Sequence, residues 1–149
     1  MKENVSSNRL RNVEIYELAV ITKVGRVPFY QKGLSSAIVF EKGAKKFEVP
    51  TTSIDRFLNE EKIGRVGLIN MDCEGRELLV LRGAEEILLK NKVKIFCKVH
   101  HDFLKQLGQS VEDIVQYLQG SKFPVQSVSS NELKAGKNFK NCEYIYATN

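Results

Sequence analysis

Apolar and polar positions change period along the chain, and each change marks an element. Residues 1–10 are polar and rich in helix formers up to Arg11-Asn12, which predicts the last turns of a helix. Val13 to Val20 (VEIYELAV) alternates and carries β-branched and aromatic residues, so it predicts a strand. Gly25, Pro28 and Gly33 punctuate the next stretch, where 24–30, 37–40 and 45–49 predict short strands with Gly43 in the last turn. Thr51-Thr52-Ser53 then precedes Ile54, Phe57 and Leu58, an i, i+3, i+4 set. A Thr or Ser there is a helix N-cap, because its oxygen accepts a free first-turn N–H. That helix is expected to end near Gly64.

The centre reads more sharply. Val66 to Met71 (VGLINM) is short and mostly apolar, the pattern of a strand buried on both faces, and it ends in Asp72-Cys73-Glu74-Gly75. Residues 77–90 predict one helix, with Leu78, Leu81, Ala84 and Leu88 in a stripe widened by Val80 and Ile87. Gly83 inside it costs about 1 kcal/mol of propensity against Ala and suits close packing on a sheet. Residues 93–99 (VKIFCKV) form another strand, running into His100-His101. Val111, Ile114, Val115 and Leu118 return to helical spacing behind a Ser110 cap, with Glu112 and Asp113 near the helix's positive end. Residues 123–128 and 144–147 close the chain as strands around a polar loop at 131–141. Tyr16, Phe29, Phe57 and Phe96 read as core.

From Thr51 onward strands alternate with helices, which predicts an α/β fold on a mainly parallel sheet. Ligands of such sheets sit outside the carboxyl ends of the strands. One end carries Asp72, Cys73 and Glu74; the next carries His100, His101 and Asp102. Asp72 and Glu74 admit two readings. Either they accept a hydroxyl proton, orient a donor or hold a divalent cation, or they complement the dipole of the next helix. His100 is a base or an ordinary satisfied histidine. His100, His101 and Asp102 are not expected to form a metal site, since adjacent strand residues point to opposite faces.

Composition narrows the class. A chain of 149 residues with 42% apolar positions is sized for one domain with a real core and is not disordered. No run of 18 apolar residues is present, and Met1-Lys2-Glu3-Asn4 opens no signal peptide. Three Cys at 73, 97 and 142 make no CxxC and no even set, which points to a reducing compartment, the cytoplasm. Of the net charge of +5, +4 sits in residues 1–50, with nine Lys and Arg against five Asp and Glu. There is no basic run or aromatic-interleaved stretch of the kind that binds nucleic acid, so neither nucleic acid nor membrane is an expected partner.

Two blocks carry a resemblance. Val49-Pro50-Thr51-Thr52-Ser53-Ile54-Asp55 is similar to a "V-x-T-T-x-L-D" segment, and 70–84 (NMDCEGRELLVLRGA) to "K-I-D-V-E-G-x-E-x-x-V-L-K-G-A". Together they resemble the FkbM family of S-adenosylmethionine-dependent methyltransferases. The stretch from Lys2 to Glu14 resembles the family's helix leading into its third strand. The resemblance implies a class I, Rossmann-like methyltransferase fold and methyl transfer to a hydroxyl oxygen of a small molecule or glycan. It implies Asp72 and His100 as catalytic residues, Glu74 and Gly75 as cofactor-binding residues, and no metal. Asn70 stands where the family usually has Lys, and Lys98 where it often has Glu, which changes the charge at the site mouth.

The family's glycine-rich cofactor loop, "D-x-G-A-x-x-G", occurs nowhere in these 149 residues. The expectation is therefore one truncated methyltransferase-like domain, 1–149, whose sheet lacks its first two strands. Such a chain exposes a central strand edge, does not bind S-adenosylmethionine alone, and either self-associates or meets a complementing chain.

Overall fold

The computed structural model describes residues 1–32, 35–37, 43, 45–90, 92–128 and 135–149. Its helices are α1 (Lys2–Ser7), α2 (Ile54–Glu60), α3 (Glu77–Arg82), α4 (Glu85–Lys90), α5 (His101–Gln106) and α6 (Val111–Gly120). Its strands are β1 (Ala19–Val20), β2 (Gly25–Lys32), β3 (Ser35–Ala37), β4 (Lys45–Thr52), β5 (Leu68–Met71), β6 (Lys94–Lys98), β7 (Val125–Val128), β8 (Ala135–Gly136) and β9 (Tyr144–Thr148). They form two sheets, ordered β1-β4-β2-β3 and β5-β6-β9-β7-β8.

The α/β class holds, but the sheets are not mainly parallel. Among the described residues only β1 with β4 and β5 with β6 pair in parallel; the other five pairings are antiparallel. The reason is local. β2 and β4 form a hairpin-like ladder before the α/β alternation starts, and after it ends β9 inserts antiparallel between β6 and β7.

β5 corrects a second expectation. Its apolar run suggested burial on both faces, yet among the described residues it pairs only with β6 and forms the edge of its sheet. Leu68 is 56% exposed there and only Met71 is buried.

The predicted strand at 13–20 is reduced to Ala19–Val20, the only part that reaches a partner, at Thr51 and Thr52. Tyr16 instead donates its hydroxyl to Glu14 and Glu61 and sets its ring edge-on to Phe57. None of Tyr16, Phe29, Phe57 and Phe96 is fully buried; the aromatic ring of the core is Phe123. The strand predicted at 37–40 falls outside the described residues after Ala37, as does 131–134 of the polar loop, while β8 occupies 135–136.

The core lies on the second sheet. α6 is the best example of sequence dictating structure: Val111, Ile114, Val115 and Leu118 are all buried. Each contributes roughly 1.5–3 kcal/mol over exposure. Ser110 caps it in a full capping box with Asp113. Ser53 caps α2 by accepting from the Arg56 N–H.

The helix predicted over 77–90 is two helices, broken at Gly83-Ala84. The break has a visible cause. A Cβ on Gly83 would lie 2.5 Å from the Ile21 carbonyl oxygen and 3.1 Å from Ser53 Cβ. The glycine lets α3 and α4 lie against the end of β1 and the start of α2. Asp55 fastens this junction: its N–H donates to the Gly83 carbonyl, and its carboxylate oxygens accept from the Glu86 and Ile87 N–H groups at 2.9 Å each.

Candidate functional site

β5 and β6 run parallel and in register, Met71 beside Cys97, so their carboxyl ends open on the same side. After β5 the chain turns through Glu74 at φ 48° and Gly75 at φ 91° before entering α3. The glycine is required twice over. Its φ is left-handed, and a Cβ there would stand 2.7 Å from Phe103 Cβ. After β6 the chain passes His100 into α5, an element the sequence pattern missed because Phe103 and Leu104 repeat at no helical interval.

The turn brings Asp72 and His100 together, as their adjacent strand ends suggested. His100 Nε2 lies 3.0 Å from Asp72 Oδ1. Lys98 reaches the other oxygen of Asp72 at 3.2 Å. On the inner side of the ring, His100 Nδ1 lies 2.9 Å from Glu77 Oε1, which also accepts from the Gly75 N–H at 3.1 Å. The cluster runs from inside to outside: the Glu77 side chain has no exposure, His100 has 14% and Asp72 has 58%. Phe103 sets its ring edge-on to His100, with 6.1 Å between centroids.

Chemically this is an imidazole held between two carboxylates, open to solvent at the Asp72 end. Such an arrangement is chemically capable of holding and passing a proton. Cys73 stands beside it in surroundings that disfavour its thiolate. Burial, then the charges of Glu77 and Asp72, push its thiol up to about 12. Burial raises the Cys97 thiol as well, and the Cys142 thiol to about 11.

The two histidines part company, although not as adjacent strand residues: β6 ends at Lys98, and His100 stands just before α5, which His101 opens. His101 turns away and its Nε2 lies 2.8 Å from the Cys142 carbonyl, tying α5 to the segment before β9. Glu74 lies on the turn itself and Gly75 is packed beneath Phe103 and Leu107.

The residue that sequence reasoning missed is Glu77. As an acid at the first position of a helix it reads as a dipole partner. The signal was its place in the motif, since Glu77 is the second Glu of the stretch matching "E-G-x-E".

An open cleft between α2 and α4 shares no residue with this cluster. Arg56, Lys62, Arg82 and Lys90 line it beside Asp55 and Glu86. Its charges are partly spent on local i,i+4 pairs, Arg56 with Glu60 and Lys90 with Glu86.

No curated protein and no solved structure shows significant similarity to the chain. Residues 7–131 match the family described as the Methyltransferase FkbM domain. That span includes both motif blocks, β5, β6 and every member of the Asp72–His100–Glu77 cluster, and with most of its length matched the chain belongs to the FkbM methyltransferase family.

Proposed function

We propose that this chain is the C-terminal part of an S-adenosylmethionine-dependent O-methyltransferase domain, one that carries the acid–base pair of the acceptor site but does not hold the cofactor alone. The observation that carries the reading is the Asp72–His100 contact of 3.0 Å at the carboxyl ends of two parallel strands. This is the end where α/β sheets take ligands. A hydroxyl oxygen that accepts a methyl group must lose its proton, and a solvent-facing carboxylate–imidazole pair is suited to receive it. The acceptor class is a small molecule or a sugar bearing a hydroxyl. No metal takes part in this reading.

The residues present do not fit the cofactor by themselves. The face of Gly75 that a side chain would occupy already holds Phe103, and its N–H is taken by Glu77. The sequence contains no glycine-rich turn of the cofactor-binding kind. Glu74 and Gly75 act on the cofactor side only when further strands complete the sheet beyond β5. Isothermal titration of the 149-residue chain with S-adenosylmethionine tests this. The expected result is no measurable binding; stoichiometric binding at micromolar affinity overturns it.

The outer edge of β5, unpaired among the described residues, favours a second reading, a non-catalytic module that pairs through that edge with its own copy or with a complementing chain. A monomer at all concentrations in size-exclusion chromatography with light scattering speaks against self-pairing. Among the described residues no helix is long and apolar enough to cross a membrane. The three cysteines are free, which supports a reducing compartment such as the cytoplasm.

A further inference from the structure

We infer that Glu77 is a positioning residue for His100, holding the Nδ1 proton inward and leaving Nε2 as the nitrogen that exchanges protons at the site mouth. The inference rests on the acid–base reading of the Asp72–His100 pair. Two carboxylates face the ring, and their burial decides where its proton sits. Glu77 Oε1 accepts from the Gly75 backbone N–H, so it serves as an acceptor, and the same oxygen lies 2.9 Å from His100 Nδ1. Nε2 also faces a carboxylate oxygen, Asp72 Oδ1 at 3.0 Å, so an acceptor stands at each nitrogen and the single proton of the neutral ring goes to the one shielded from water, Glu77. Nε2 is then the nitrogen turned toward Asp72, the most open member of the cluster.

The groups facing His100 are few. Asp72 comes from the end of β5, Glu77 from α3 and the Phe103 ring edge from α5. Lys98 of β6 acts on Asp72. Of the two carboxylates, only Glu77 is fully buried, so only Glu77 is shielded from competition by water. Its other oxygen, Oε2, is buried with no hydrogen-bond partner among the described residues, and such a group is costly. The Gly75 N–H needs only a neutral acceptor. The contact to which a buried carboxylate adds something an amide does not is the one with the imidazole, whose orientation and charge it supports.

The chain contains two histidines, and the structure assigns them opposite tautomers. His101 Nε2 faces a carbonyl and must donate to it, whereas His100 has a carboxylate at each nitrogen and donates from Nδ1 to the buried one, Glu77. Long-range proton–nitrogen NMR spectra of the 15N-labelled 149-residue chain, at a pH high enough to neutralise both rings, read the tautomers directly. His101→Gln assigns the signals. The expected spectrum shows His100 as Nδ1–H and His101 as Nε2–H; His100 as Nε2–H overturns the inference. Glu77→Gln retains an acceptor oxygen and is expected to keep the Nδ1–H form. Glu77→Leu is expected to lose it while His101 stays unchanged, and an Nδ1–H form that survives in the folded Leu variant also overturns the inference. Should the Leu variant fail to fold, the wild-type tautomer still decides. The readout needs neither cofactor nor acceptor, so its failure removes the role of Glu77 and leaves the methyltransferase reading to the S-adenosylmethionine titration.

Discussion

Gly83→Ala sets helix propensity against packing at one atom. Propensity favours the change, since Ala gains at most about 1 kcal/mol over Gly in a helix, and Gly83 has an ordinary negative φ of −84°. Packing opposes it. The new Cβ would sit 2.5 Å from the Ile21 carbonyl oxygen, where real Cβ contacts stay at or beyond 3.0 Å, so the junction must open by at least 0.5 Å, the difference of the two. The obstacle is backbone, and it is held: the Ile21 N–H donates to the Thr52 carbonyl at 2.8 Å. On the other side the Gly83 carbonyl accepts from Asp55, the residue that caps α4. Moving either partner loosens a bonded segment, and overpacking of this kind costs about 1–3 kcal/mol.

The net effect of Gly83→Ala is a loss of about 1–2 kcal/mol, which for a chain of this size lowers Tm by roughly 2–8 °C. Gly120→Ala is the control. That glycine closes α6 and has nothing within 4 Å of an added Cβ, so the same substitution is expected to leave Tm unchanged or raise it slightly. Circular dichroism melts of the two variants, with hydrogen exchange at the Ile21 amide, provide the check. If Gly83→Ala melts at or above the wild type with the Ile21 amide still protected, the close approach is not what keeps this residue a glycine, and the reasoning fails.

The same junction and the Cys73 thiol give three further expected outcomes. Asp55→Ala removes both acceptors of the α4 N-terminus and is expected to cost about 1–2 kcal/mol in urea unfolding. A loss under about 0.3 kcal/mol, well below the usual cost of losing a cap, would show that water replaces it. Cys73 is expected to resist iodoacetamide in the folded chain at pH 8, since with its thiol at about 12 only about one molecule in ten thousand carries the thiolate. A thiol raised in the folded state from its ordinary 9.0 gives stability that is fully present below pH 9 and lost as pH rises toward 12. The wild type is therefore expected to lose stability relative to Cys73→Ala across that window, as measured by urea midpoints at pH 8 and above; a constant difference would refute it.

What the sequence reveals here and what it hides divide along one physical line. Features decided within one turn of chain are legible. The Ser53 and Ser110 caps and the buried stripe of α6 arise from residues three and four apart, and each stands where the pattern puts it. Features decided by a distant partner are not. VEIYELAV alternates like a strand along its whole length, but β4 meets it only at Thr51 and Thr52, so two residues become β1. VGLINM is as apolar as a central strand, yet what lies beside its outer edge is not written in its own residues. Gly83 is visible as a helix breaker, but the Ile21 carbonyl that needs it lies 62 positions earlier in the chain.

The candidate site shows the same division within a single cluster. Asp72 and His100 were legible because both end strands of one parallel pair, and adjacent strands bring their ends together. Glu77 was not, because its first-turn position already supplies a sufficient local reason for an acid. Burial separates the two explanations. A carboxylate that serves only the helix dipole does so from the surface, where water shares its cost. Glu77 has no exposed surface and one oxygen without a partner among the described residues, so the dipole is too small a return for placing it there. Its remaining oxygen joins the glycine turn after β5 to the histidine after β6, and through them the two strand ends whose spacing defines the site. The residue that looked most ordinary in the motif is thus the one through which the turn and the imidazole are held in register.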